Sequence, residues 1–355
     1  MLPPRALLLS DLPSSPSTHD RCHLLESLTM PTSASPAAKS PVAVIGAGLI
    51  GSAWAICFAR AGHPVRLNDR SHEILTIARE VIATALQDMA EFDLLEDTPE
   101  AILARVTCST DLASCLDGVV HVQECAPESI PAKKALFEQL GEMTGPEVVL
   151  ASSTSAFIPS LFTAEVRHRE RCIVAHPINP PYLVPVVQMV PAPWTAPAVI
   201  DQTEALMVAA GQAPIRLEKE ADGFVVNRLQ GALIHEALRI VDEGVAGAKA
   251  IDLAISKGLG LRWSFMGPFE TMELNAPNGI RDYVERYGDL YRRIIGVGED
   301  AAPLWNGKAL DRIEADRSAI LDRSRIAERQ RWRDRRLMDL AAAMKAAEAR
   351  TRWED

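Results

Sequence analysis

The sequence predicts an α/β protein: a largely parallel, doubly wound sheet with helices on both faces, followed by an all-helical region. Three observations carry this. An apolar run, Val42–Ile45, leads straight into Gly46-Ala47-Gly48-Leu49-Ile50-Gly51 and a helix-forming stretch. Short, nearly continuous apolar runs then alternate with amphipathic ones, the pattern of successive β-α units whose strands are covered on both faces. After Gly223 the strand pattern stops and helical periodicity alone remains.

Taken in order, strand Val42–Ile45 leads to a helix over 49–61, then to strand Val65–Asn68 and a long helical region from about 71 to 92. Further strands read at 119–123, 148–151, 172–175, 187–190 and 215–218, with helices over 133–143 and 198–210 between them. Residues 224–243 read as one long amphipathic helix, because Phe224, Leu229, Leu233, Ala237, Ile240 and Val241 recur at helical spacing. Helical segments continue to the end. They include an Arg-rich stretch over 323–336, where Asp322, Glu328, Asp334 and Asp339 interleave, so a solvated helix face is expected.

At 355 residues there is room for two domains. Residues 1–40 are rich in Pro and Ser without sustained periodicity and are expected to be a disordered extension. Leu7-Leu8-Leu9 is too short for a secretory core, and Asp11, Asp20 and Glu26 argue against a transit peptide. Met30 stands just before the folded part, which leaves an over-long start assignment open. The expected division is an extension over 1–40, a sheet domain over 41–222 and a helical domain over 223–355.

The glycine segment points to a ligand. Gly46 permits a tight turn, Gly48 lets a pyrophosphate approach the backbone, and Gly51 lets helix and strand pack closely. Leu49 and Ile50 open the helix, whose free N–H groups and partial positive charge suit phosphates. Asp69 ends the second strand about 20 residues later, placed to accept hydrogen bonds from a ribose diol. Glycines alone are weak evidence. Strand, glycines, helix, second strand and terminal acid in register indicate a Rossmann-type dinucleotide site. The Asp69 carboxylate would repel a 2′-phosphate and so favours NAD over NADP, although Arg70 beside it is the kind of residue that greets that phosphate.

Composition excludes several other classes. A net charge of −10 argues against nucleic acid, and no run of about 20 apolar residues suggests a membrane span. The six cysteines show no C-x-x-C pair, which fits a reducing cytoplasm and offers no metal site.

Five further segments could carry chemistry. Gln123-Glu124-Cys125-Ala126-Pro127-Glu128, with Lys133 after it, closes a strand where ligand crevices form, yet Glu128 also suits an ordinary helix N-terminus. The hydroxyls of Ser152-Ser153-Thr154-Ser155 either meet a substrate oxygen or, the better reading of the pattern alone, cap the following helix. His176, followed by Pro177-Ile178-Asn179-Pro180-Pro181, sits on a stiff strand end and suits proton transfer with an alcohol. Asn227 lies at the start of the long helix, either facing the cleft or without a role. The physics of Gly267-Pro268-Phe269-Glu270-Thr271-Met272-Glu273 fixes no role.

Together these motifs resemble the L-3-hydroxyacyl-CoA dehydrogenase superfamily over about residues 41 to 345, and most of all its lambda-crystallin and L-gulonate 3-dehydrogenase branch. The carrying segments are Gln123-Glu-Cys-Ala-Pro-Glu, His176-Pro-x-Asn-Pro-Pro-Tyr, Gly223-Phe-Val-x-Asn-Arg-Leu-Gln, Gly267-Pro-x-Glu-Thr-Met and Arg331-Trp-Arg-Asp. The resemblance implies a Rossmann-type NAD domain joined to a helical dimerisation domain, hence a homodimer that interconverts a 3-hydroxyl and a ketone on a hydroxy acid or acyl-CoA. It implies that His176 is the general base, that Ser155 and Asn227 hold the substrate oxygen, and that Asp69, Glu128, Lys133, Ser155 and Asn179 line the cofactor.

One position departs. The family's Glu that pairs with the catalytic His is here Gln188, in Val186-Val187-Gln188-Met189-Val190. Its amide oxygen is expected to accept from His176 and keep the ring oriented, but it cannot neutralise an imidazolium. Turnover is therefore expected to be slowed. The segment Gly258-Leu-Gly-Leu-Arg-Trp-Ser-Phe-Met-Gly267 also looks like carnitine dehydrogenases, although these carry Asp where Asn227 stands. A second class of reading is a weakly active NAD(H)-binding structural or regulatory protein.

Overall fold

The structure, a computed structural model, describes residues 39–296, 305 and 307–350, so nearly all of the extension expected over 1–40 lies outside the described residues. The chain forms two compact units, one running to Leu229 and the other from Gln230.

The first unit is built on eight strands: β1 (Val42–Ile45), β2 (Val65–Asn68), β3 (Val106–Ser109), β4 (His121–Glu124), β5 (Val149–Ser152), β6 (Cys172–Pro177), β7 (Val186–Pro191) and β8 (Ala213–Arg216). They run in the order β3-β2-β1-β4-β5-β6-β7-β8, and every neighbouring pair is parallel except the antiparallel β6 and β7. Helices α1 (Leu49–Arg60), α2 (His72–Glu91), α3 (Pro99–Leu103), α4 (Leu112–Leu116), α5 (Ile130–Met143), α6 (Ser160–Thr163) and α7 (Pro197–Ala209) connect them. Successive residues of β1 enter different cores, as the pleat requires. Val42 and Val44 pack with Trp54, Phe58, Leu86 and Met207, while Ala43 and Ile45 pack with Phe137, Leu140 and Phe162. Both faces are therefore covered.

Two strands differ from the sequence pattern, and both lie at sheet edges. β3 was not expected, because only Val106 among its residues is buried. β8 falls two residues earlier than its apolar run suggests, and none of its residues is buried. Edge strands are covered incompletely and so lack the continuous apolar signal.

The expectation of a helix from Phe224 is also corrected: α8 (Val226–Asp242) begins two residues later. Gly223 and Phe224 both have left-handed backbones, with φ +70° and +52°, and the Phe224 ring is buried with Val190, Phe162 and Val174. Phe224 belongs to the core of the sheet unit, and its helical spacing to Leu229 is incidental.

The second unit is helical among its described residues. After α8 come α9 (Ala248–Ala254), a π-helical turn (Ile255–Leu259), α10 (Gly260–Trp263), α11 (Pro268–Leu274), α12 (Ile280–Ile294), α13 (Lys308–Ile320) and α14 (Ile326–Arg350). Met266, Leu274, Leu321 and Ile326 form a small core. Beside it, buried Glu273 accepts from Arg317 at 2.7 Å, and buried Glu270 accepts from Arg329 at 2.7 Å. The acids of the Gly267-Pro-Phe-Glu-Thr-Met-Glu segment thus hold α13 and α14 in place. Most of α14 is exposed, as its interleaved charges suggest. No described helix is long and apolar enough to cross a membrane.

Candidate functional site

The strand order reverses between β1 and β4, and the loops leaving these strands' C-terminal ends frame a crevice. At β1, Gly46 adopts φ +102°, and a Cβ on it would lie 2.6 Å from the Cys125 carbonyl oxygen leaving β4. A Cβ on Gly51 would fall 1.8 Å from the Gly46 carbonyl oxygen, so α1 rests on the turn. Gly48 is different: a Cβ there meets no atom within 4 Å. It is also the N-cap of α1, whose end has no side-chain cap and no acidic residue in its first turn. Leu49 is exposed and Ile50 half-buried beside it. Open space before uncapped N–H groups fits a pyrophosphate.

Asp69 closes this loop from β2. Its carboxylate accepts from the Ala47 N–H at 3.0 Å and the Ser71 N–H at 3.2 Å. Half-buried, it stands where the second strand ends, with exposed Arg70 next to it.

The ends of β4 and β5 are tied by a buried polar cluster that sequence reasoning missed. Glu124, fully buried, accepts from Lys133 Nζ at 2.8 Å, from the Ala126 N–H at 2.7 Å and from the Ser152 hydroxyl. Lys133 is as deeply buried and also lies 3.7 Å from Glu128. The signal was available: a carboxylate inside an otherwise apolar strand requires a partner. Alongside, Ser153 Oγ accepts from Trp54 Nε1 and Gln123 Nε2, and His121 Nε2 lies 3.0 Å from Gln123 Oε1. Burial pushes His121 down to about 4, outweighing its hydrogen bond with Gln123.

Glu128 organises the outer residues. It accepts from the Ser155 N–H at 2.7 Å, the Ser155 hydroxyl at 3.1 Å and the Thr154 hydroxyl at 2.8 Å. Its partial burial would raise its carboxyl, but these bonds and the Lys133 charge together hold it below the usual range. Asn227, one residue into α8, donates its amide to the Ser155 carbonyl at 2.8 Å. Glu128, Ser155 and Asn227, three residues singled out in the sequence, are therefore joined in one chain of hydrogen bonds. Asn179 lies exposed in the turn after β6.

His176 and Gln188 are direct cross-strand partners in the β6–β7 ladder. Both are buried, and Gln188 Nε2 lies 2.8 Å from His176 Nδ1. Gln188 Oε1 accepts from the Val225 and Val226 N–H groups, each at 2.9 Å. The expectation that the amide oxygen would accept from His176 is thus corrected. That oxygen is taken by two backbone donors, and the amide nitrogen faces the ring. Phe224, held in its left-handed conformation, packs on the imidazole at 5.5 Å between centroids. Burial holds His176 below the usual histidine value, against the pull of the Glu128 charge.

Residues 41–221 match the family model described as 3-hydroxyacyl-CoA dehydrogenase, NAD binding domain, and residues 223–299 match that of the corresponding C-terminal domain. The chain is 41% identical over 312 residues to the lambda-crystallin homolog of Mus musculus, a match covering 87% of this chain and 97% of that one. It is 35% identical over 316 residues to the L-carnitine dehydrogenase of Burkholderia mallei, covering 88% and 97% respectively. Among solved structures it is similar to 3-hydroxybutyryl-CoA dehydrogenase from Escherichia coli K12, with TM-score 0.59 and 32% identity over 71% of this chain and 53% of that one.

Proposed function

Because this chain belongs to the 3-hydroxyacyl-CoA dehydrogenase family and is thereby an NAD-dependent oxidoreductase acting on a CH–OH group, we propose that its substrate is a small 3-hydroxy acid of the L-gulonate kind. The observation that carries this reading is that the Asn227–Ser155 hydrogen bond and His176, near the end of β6, belong to the C-terminal ends of neighbouring parallel strands, the same side of the sheet as the open Gly48 loop. A 3-hydroxyacyl-CoA is the second candidate. The reaction balances as alcohol plus NAD⁺ giving ketone, NADH and a proton.

In this reading Gly46, Gly48 and Gly51 shape the loop, and the first-turn N–H groups of Leu49, Ile50 and Gly51 hold the pyrophosphate. Asp69 takes a ribose hydroxyl, and Glu128, Ser155 and Asn179 complete the lining. Lys133 acts on that lining from beneath, through Glu124 and Glu128. Bound NAD would supply the hydride acceptor for the carbinol carbon. His176 exchanges the hydroxyl proton, while Ser155 and Asn227 hold the substrate oxygen and steady developing charge.

We also propose that the protein pairs through its helical unit, as α8 leaves Leu233, Ile234, Leu238 and Val241 exposed along its length. Leu238→Glu with Val241→Glu should then turn a dimer into a monomer in analytical ultracentrifugation.

The test of function is NADH formation from L-gulonate, 3-hydroxybutyrate, carnitine and 3-hydroxybutyryl-CoA, wild type beside Gln188→Glu. Oxidation of L-gulonate or 3-hydroxybutyrate supports the reading, and oxidation of the thioester or carnitine alone overturns it. A second reading, an NAD(H)-binding protein with little turnover, is favoured by Gln188 itself. NADH binding without turnover of any of the four by either protein would establish it.

A further inference from the structure

The hydrogen bond between Gln188 and His176 runs in one direction only. An amide nitrogen donates and does not accept, so His176 Nδ1, at 2.8 Å from Gln188 Nε2, must offer its lone pair. A neutral imidazole with a bare Nδ1 carries its hydrogen on Nε2. Resting on the reading that His176 meets the reacting oxygen, we propose that Gln188 is a positioning residue that holds His176 in the Nε2–H tautomer, presenting a donor where oxidation of an alcohol needs an acceptor.

The arrangement resists reversal. If the amide turned over, its oxygen would suit an Nδ1–H, but its NH₂ group would then face the Val225 and Val226 N–H groups. Donors would meet donors, and the two part-buried N–H groups would lose their partner. Those two N–H groups are aimed by the left-handed Gly223-Phe224 pair that leads into α8, and the Phe224 ring covers the imidazole. Protonating the ring helps no more, since it sets an Nδ1–H against the same amide hydrogens. A carboxylate at this position would behave in the opposite way. One oxygen would accept from Val225 and Val226, the other from an Nδ1–H, leaving Nε2 bare.

The tautomer also sets ligand preference. A donating Nε2–H suits a carbonyl oxygen, which only accepts. It leaves the hydroxyl proton of an alcohol without an acceptor on the ring. The site should therefore hold a 3-keto acid more tightly than the matching 3-hydroxy acid.

The experiment is ¹⁵N NMR of the full chain labelled at histidine, near neutral pH, with the His176 signals assigned by their loss in His176→Asn. Wild type should show a proton-bearing Nε2 and a bare Nδ1, and Gln188→Glu should move the proton to Nδ1. A proton-bearing Nδ1 in wild type, or an unchanged tautomer in a folded Gln188→Glu, overturns the proposal. If that variant does not fold, the wild-type spectrum decides alone. Calorimetry of two dead-end complexes, acetoacetate with NAD⁺ and 3-hydroxybutyrate with NADH, should favour the keto acid by about tenfold in wild type. The preference should vanish or reverse in Gln188→Glu, and equal affinities in wild type count against the proposal. Failure of both acids to bind a protein that shows the Nε2–H signal, together with no oxidation of L-gulonate, would overturn the substrate reading and leave the tautomer assignment standing.

Discussion

Lys133 and Glu124 form an ion pair 2.8 Å apart with both side chains buried, nine residues apart in sequence and joining the end of β4 to α5. Removing one partner of such a pair leaves a buried charge uncompensated, which costs about 3–5 kcal/mol. Lys133→Met should therefore lose stability on that scale in urea denaturation. Adding Glu124→Gln should restore much of it, because the amide oxygen can still accept from the Ala126 N–H while the lone charge is gone. Additive losses in the double variant would show that the pair is not the coupling.

The glycines of the first loop should separate folding from binding. Gly51→Ala places a methyl group against a backbone carbonyl that cannot retreat, so a loss of roughly 3 kcal/mol or more is expected. Gly48→Ala meets open space and should cost only about 1 kcal/mol, the usual difference between these residues at an N-cap. Its effect should appear as at least about tenfold weaker NADH binding by fluorescence titration, as the methyl group stands in the path of the pyrophosphate. A Gly48→Ala protein with unchanged NADH affinity would place the dinucleotide elsewhere.

Much of the fold was legible in the sequence where burial is complete. β1, β4 and β6 are covered on both faces, and their apolar runs mark them within a residue or two. β3 and β8, at the two edges, were missed or shifted because half-covered strands carry polar residues. Of the candidate site, Asp69 and His176 stand out from their places at strand ends, whereas Glu128, Ser155 and Asn227 suit ordinary capping or helix-start roles equally well and are singled out only by the family resemblance. The direction of the His176–Gln188 bond could not be read from the sequence. It depends on the Val225 and Val226 N–H groups, which reach Gln188 only because Gly223 and Phe224 turn left-handed, and helical periodicity had placed Phe224 within α8. The Glu124–Lys133 pair was likewise hidden, since a strand and a helix must be docked before the two charges meet.

Acid should weaken the fold through its buried histidines. His121 is pushed down to about 4 by burial from an ordinary value of 6.5. Between those values the unfolded chain binds a proton that the folded chain refuses, so stability rises with pH and falls as pH drops below 6.5. The full gap corresponds to about 3 kcal/mol, of which roughly 2 kcal/mol is lost by about pH 5. His176, lowered by burial, acts in the same sense. His121→Gln keeps a donor for Gln123 but does not titrate, so the stability difference between about pH 7 and pH 5 should shrink by about 2 kcal/mol in urea melts. An undiminished difference would assign the acid sensitivity to other groups.

Phe224 sets two effects against each other. Its left-handed backbone costs roughly 1–2 kcal/mol in a residue with a Cβ, whereas its buried ring contributes about 3–5 kcal/mol relative to alanine. The ring wins, which is why a phenylalanine persists at φ +52°. Phe224→Ala should lose the packing and keep the strain. Phe224→Gly loses the same packing but relieves the strain, against a glycine entropy cost of about 0.5–1 kcal/mol. Glycine should therefore be the more stable of the two by up to about 1 kcal/mol, contrary to the usual order inside regular structure. Both variants also uncover the imidazole, so His176 should titrate closer to the ordinary histidine value in either. Thermal melts with NMR titration of His176 check the two parts separately, and an alanine variant more stable than the glycine one would show that the backbone at Phe224 carries no strain.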